Sequence, residues 1–144
     1  MDAIDISRSG LDVEWRRMEV IALNLANANT SKTADGSTYV PLRLVSGPAE
    51  NFDQVLARAG EQPTTHPQGV RVYSIEQSKA GTRQVYDPAN PQAGANGFVT
   101  YPNISNAEEM TLMVKTTRAY EANLVAMTAA QQMYSSALQI GGKS

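Results

Sequence analysis

Cysteine is absent from this chain, and histidine and tryptophan occur once each, as His66 and Trp15. The first absence excludes disulfides and every cysteine-based metal or redox site. A single histidine excludes the common two- and three-histidine metal centres, and no metal or cofactor is expected. Neither sign of charge dominates. Twelve basic against fourteen acidic residues give a net charge of −2, which leaves no electrostatic footprint for nucleic acid or an anionic membrane surface. Charge itself is scarce, at 18% of residues against roughly 25% in an average soluble domain. Apolar residues, at 42%, do not make up the difference; uncharged polar residues do. No apolar run is long enough for a transmembrane span, so no direct membrane crossing is expected. The opening Met-Asp-Ala-Ile-Asp lacks the basic and apolar regions of a cleaved signal.

Proline is missing from both flanks. All seven prolines lie between Pro41 and Pro102, and seven of the ten glycines lie between Gly36 and Gly97. Two proline-free flanks therefore enclose a turn-rich middle. The expected fold class is α+β: long N- and C-terminal helices packed as a coiled-coil-like pair, with a small β-rich middle. The segments are 1–30, 31–102 and 103–144.

In the first flank Ile4, Leu11, Met18 and Leu25 recur every seven residues, with Arg8, Trp15 and Ala22 between them. This is the 4-3 stripe of a helical seam, predicted to run from Ile4 to Asn27. Asn27-Ala28-Asn29-Thr30 is the expected stop, because Asn tolerates the left-handed conformation. The second flank opens on Ser105-Asn106-Ala107-Glu108, a capping-box pattern. Glu108 and Glu109 suit the positive end of a helix dipole. Met110, Met113, Thr117, Tyr120, Leu124, Met127, Gln131, Tyr134 and Leu138 then alternate at intervals of three and four, and Gly141-Gly142 ends the pattern. Such a helix of about 35 residues is roughly 50 Å long. In the middle, Tyr39–Val45, Val70–Ile75, Thr82–Tyr86 and Phe98–Tyr101 are the strand candidates, the first an edge strand because of Pro41. Residues 47–69 read as an exposed loop.

The scarcity of charge is concentrated in Ala122–Gly142, a run without a single charged residue, bracketed by Glu121 and Lys143. A solvated helix normally carries Lys and Glu on its outer face. Here that face is Ala, Thr, Gln, Ser and Asn, which suits burial against other helices.

Catalytic constellations are lacking. His66 lies in the loop-like Pro-Thr-Thr-His-Pro, there is no nucleophile elbow or phosphate-binding glycine loop, and Asp87 precedes Pro88 as a turn residue. Glu108 and Glu109 are adjacent and do not face each other on a helix. Arg16, Arg17, Arg118 and Glu121 stand out as charges on otherwise sparsely charged helices, placed to pair with a neighbour and fix register.

Ser9-Gly10-Leu11, Arg17, Met18, Ala22, Asn24, Ala26-Asn27 and Thr30 resemble the N-terminal motif of bacterial flagellar rod and hook proteins. Glu109-Met110 with Arg118-Ala119-Tyr120-Glu121-Ala122-Asn123 resembles their C-terminal motif. Tyr86-Asp87-Pro88-Ala89-Asn90-Pro91-Gln92-Ala93, Gly97-Phe98-Val99 and Tyr101-Pro102-Asn103-Ile104 are similar to the signature of a proximal-rod subunit. Gly94 departs from that pattern, which usually has an aspartate there.

The resemblance implies a non-enzymatic structural protein of the basal body. It would be exported without a cleaved signal through the flagellar type III apparatus and assembled with its own copies and other rod proteins on the inner-membrane ring. The resulting helical tube transmits torque and encloses the export channel, with no nucleic-acid partner. The assembly interface is expected at Ile4, Leu11, Trp15, Met18, Asn24, Leu25 and Asn27 of the first flank. On the second it is expected at Met113, Arg118, Tyr120, Glu121, Asn123, Leu124, Met127 and Tyr134. The alternative is a soluble helical adaptor or export chaperone, which would remain a small cytoplasmic oligomer.

Overall fold

Both proline-free flanks are helices. A computed structural model describes residues 3–33, 36–50, 56 and 68–142. Helix α1 spans Ala3–Asn27 and helix α2 spans Asn106–Gly141. Between them lie β1 (Leu42–Pro48), β2 (Val70–Gln77), β3 (Thr82–Tyr86) and β4 (Phe98–Pro102). Strands β1 and β2 form one antiparallel sheet, with a register shift at Val45/Ser46, and β3 and β4 form another. The described strands of the middle thus form two separate hairpins. Most of the expected 47–69 loop, including His66, lies outside the described residues.

Local chemistry sets the boundaries. Ser105 caps α2, its hydroxyl accepting from the Glu108 backbone N–H at 3.4 Å, which satisfies one donor left open by the helix start. Strand β1 begins at Leu42, immediately after Pro41, which has no N–H to contribute to a ladder. Helix α1 does not end in a left-handed asparagine as expected: every described residue with positive φ is a glycine. Instead, Ala28 N–H donates to Leu25 O at 3.3 Å and Thr30 N–H to Asn27 O at 3.0 Å. These tighter i→i−3 turns close the helix. The Asp87–Ala93 connection is two successive turns, Asn90 N–H donating to Asp87 O and Ala93 N–H to Asn90 O. Gly94 N–H then closes onto Phe98 O at 2.9 Å. A side chain at Gly94 would meet only the tip of Asn96 and the Phe98 carbonyl.

The helices pack antiparallel, Gly10 against Asn123 and Asn24 against Glu109. The line facing the partner helix is displaced by one residue from the hydrophobic stripe. On α1 the buried residues are Ser7, Gly10, Val13, Val20, Ile21 and Asn24. Ile4, Leu11, Met18 and Leu25 are half-buried at its edge, and Trp15 and Ala22 are exposed. On α2 the buried residues are Glu109, Thr116 and Ala130, with Met113, Tyr120, Asn123 and Met127 half-buried between them. The cause is steric. A Cβ on Gly10 would lie 2.6 Å from Asn123 Oδ1, so the backbones approach most closely where side chains are small. Hydrophobicity alone does not mark such positions.

One polar node joins both helices to β1. Asn24 is completely buried and all of its side-chain hydrogen-bonding capacity is used. Its Oδ1 accepts from Leu42 N–H at 2.9 Å and from the Tyr39 hydroxyl at 3.0 Å. Its Nδ2 donates to Leu42 O at 2.9 Å and to Glu109 Oε2 at 3.3 Å. The amide thereby acts as a strand neighbour for Leu42. Glu109, 2% exposed, is held on its other oxygen by Arg43 Nη1. Helix-start electrostatics therefore describe only part of what Glu109 does. Burial, and secondarily the negative charge of Glu109, raise the Tyr39 phenol above its usual value near 10.

Three outcomes are expected. Gly10→Val destabilises the fold by about 1–3 kcal/mol through overpacking, and Asn123→Ala in the same chain restores part of the loss, as read by urea denaturation with Trp15 fluorescence. Asn24→Leu costs about 3 kcal/mol or more, since each buried group stripped of its partner costs about 1–3 kcal/mol. The Tyr39 contribution depends on pH in a defined direction. The folded state holds the phenolic proton more tightly than the unfolded chain, so stability is complete below the usual value near 10 and falls as pH rises through the raised one. Denaturation midpoints measured across alkaline pH fall more steeply for the unmodified chain than for Tyr39→Phe.

Candidate assembly surface

Long helices usually bury one face and solvate the other. Here the unburied faces are apolar over much of their length. Helix α2 continues past the level at which α1 begins, and residues 131–142 are exposed throughout. That overhang is about 18 Å at 1.5 Å per residue. It carries Met133, Tyr134, Leu138 and Ile140, the last 75% exposed. The described part of the charge-free run, Ala122–Gly142, includes this overhang and the two turns before it. Leu124 and Val125 are also exposed, Val125 at 68%. None of these side chains is needed to hold the two helices together.

The expected interface residues divide into two groups. Asn24 lies inside the polar node, and Asn27 and Asn123 turn back on their own helices, donating to Leu23 O at 2.9 Å and Ala119 O at 3.0 Å. Met18 receives the Thr117 hydroxyl on its sulfur at 3.8 Å, and Trp15 stacks at a tilt on Tyr120 with ring centroids 6.4 Å apart. These residues, with half-buried Ile4, Leu11, Leu25, Met113 and Met127, serve the helix pair at least in part. Arg118, Glu121, Leu124 and Tyr134 are outward-facing, and Trp15 also keeps part of its surface exposed.

The charged residues also separate. Arg17 pairs with Glu14 at 3.3 Å and donates to Ser46 Oγ at 2.7 Å, tying α1 to β1. Arg16 pairs with Glu19 at 3.4 Å on the exposed surface, where Glu19 also accepts from the Trp15 indole. Arg118 and Glu121 are exposed and have no partner among the described residues. Sequence reading missed Gly10, Tyr39 and Thr116 as packing residues. A glycine inside a strongly periodic helix is the one signal that points to a close approach.

Reactive groups do not converge among the described residues. Among the described residues no three His, Cys, Asp or Glu side chains are grouped to hold a metal ion, and no helix is long and apolar enough to cross a membrane. Two neighbouring turns hold Asp87, and Asn90 Nδ2 lies 3.5 Å from its carboxylate.

Comparison with known proteins gives this surface its context. The family model described as Flagellar basal body rod FlgEFG protein C-terminal matches residues 95–140, which include all of α2 except its last residue. The flagellar basal-body rod protein FlgC of Bacillus subtilis is 35% identical, over 96% of this chain and 96% of that protein. Its counterpart in Borreliella burgdorferi is 35% identical, over 96% and 95%. That of Salmonella typhimurium is 32% identical, over 98% and 97%. With near-complete coverage on both sides, the chain belongs to the flagellar basal-body rod protein FlgC family and is a structural, non-enzymatic subunit of the basal-body rod.

Proposed function

We propose that this chain builds the proximal rod by packing its terminal helices against those of its own copies and of other rod proteins, forming a helical tube. Segments 1–30 and 103–144 form the inner tube and segment 31–102 lies outside it. The assembly surface comprises Ile4, Leu11, Trp15, Met18, Leu25 and Asn27 with Met113, Arg118, Tyr120, Glu121, Asn123, Leu124, Met127 and Tyr134, and Asn24 supports it from inside the subunit. The chain reaches its site through the flagellar type III apparatus, and the tube meets the inner-membrane ring, encloses the export channel and transmits torque.

One observation carries this reading: the overhanging, charge-free end of α2 exposes Met133, Tyr134, Leu138 and Ile140, with nothing among the described residues to cover them. Large exposed apolar patches mark interaction sites. A surface of Ala, Ser, Gln and Thr around them lets helices come close without burying an unpaired charge, which would be costly. Head-to-tail contacts that do not close generate a helical array.

Leu124 provides the test, because it is exposed in the subunit. Leu124→Asp is expected to leave the folded subunit close to its normal stability, since surface substitutions usually fall within about 0.5 kcal/mol. The same change is expected to abolish incorporation, because it places an unpaired carboxylate in a buried contact. Immunoblotting of purified basal bodies and a motility assay read the outcome. Normal rods and swimming with the aspartate variant defeat the proposal, as does recovery of the unmodified chain only as a small soluble oligomer.

A further inference from the structure

The backs of the two helices carry complementary charges that the subunit leaves unused. At 100° per residue, Arg8 and Asp12 fall on either side of the direction opposite Gly10, the point where α1 meets α2. Arg118 and Glu121 lie on the side of α2 turned away from its buried line through Glu109, Thr116 and Ala130. All four are exposed, and none has an ion-pair or hydrogen-bond partner among the described residues. Other α1 charges behave differently: Arg16 pairs with Glu19 and Arg17 with Glu14. The two unused pairs have similar spacing, four residues on α1 and three on α2. Positive precedes negative by one turn on each helix, so antiparallel apposition sets opposite charges against each other at both positions.

We propose that the back of α1 in one copy docks on the back of α2 in a second copy, pairing Arg8 with Glu121 and Asp12 with Arg118. This register differs from that inside the subunit, where Gly10 faces Asn123, by about one helical turn, or ~5 Å. Successive copies are therefore staggered along the helix axis. Trp15, 56% exposed, comes level with Val114, 55% exposed, which closes one end of the ionic contact with apolar surface. Because the two faces differ, each copy still offers one of them to the next, and the contact propagates instead of ending at a dimer. The occupant is a second copy because both halves of the charge pattern are present on this chain. Charged pairs of this kind set register and reject wrong alignments more than they add affinity.

The inference rests on the assembly reading above, and the experiment separates the two. The chain has no cysteine, so a chain carrying Arg8→Cys and Glu121→Cys offers two defined thiols. Purified basal bodies treated with a short bismaleimide should yield species of twice the subunit mass and higher multiples. A chain carrying Arg8→Cys and Gln139→Cys, whose positions are far apart in this register, should not. Asp12→Lys should reduce incorporation several-fold by opposing Arg118, and adding Arg118→Asp should recover most of the loss. Rods that contain the Arg8→Cys, Glu121→Cys chain without cross-linked multimers overturn the docking register while leaving the assembly reading intact. Failure of Arg118→Asp to rescue Asp12→Lys overturns it as well. Absence of the unmodified chain from basal bodies overturns both.

Discussion

A single buried amide holds the architecture together. Asn24 offers two donors and two accepting lone pairs, and α1, β1 and α2 converge so that all four are used. Among the described residues Leu42 has no second strand on the side that Asn24 occupies, and the amide supplies the missing ladder partner. The same side chain helps hold Glu109, whose charge would be prohibitive to bury without Arg43 and a hydrogen bond. Apolar contact alone would let two helices slide along or rotate about each other. A satisfied polar cluster permits one depth, one rotation and one hairpin position.

Small residues complete that constraint. Gly10 opposite Asn123 sets how closely the helices approach, and burial of Ser7, Thr116 and Ala130 follows from that proximity. Apart from Val13, Val20 and Ile21, the larger apolar side chains of the helices lie at their edges and backs. A subunit built this way spends little of its hydrophobic surface on itself. Trp15, Met110, Val125, Met133 and Ile140 stay outside, as suits a family of rod subunits.

Much of this was legible before any coordinates. Proline placement marked the helices, Ser105 marked the start of α2, and β-branched alternation located β2. The exact helix rotation was not legible, because the stripe of Leu, Met, Trp and Tyr reports where apolar mass lies, whereas the contact follows Gly10, Thr116 and Asn123. Glu109 was open to two explanations, since an acidic residue in a first helical turn needs no further reason. Its burial depends on Arg43 and Asn24, 66 and 85 residues away in the chain, and no local pattern encodes that. Division of the middle into two hairpins was likewise invisible to strand propensity, which says nothing of pairing.

The uninterrupted backbone of α2 has a thermodynamic consequence. No glycine or proline occurs between Asn106 and Ile140, so the last turns elongate a helix whose costly nucleus is already formed. Each added residue there gains or loses only its own propagation free energy, which is close to zero for such residues in water. The free end can therefore shorten or lengthen residue by residue without disturbing the Asn24 node or either hairpin. Helix length at that end becomes a nearly neutral variable of the isolated subunit, fixed by whatever surface it meets.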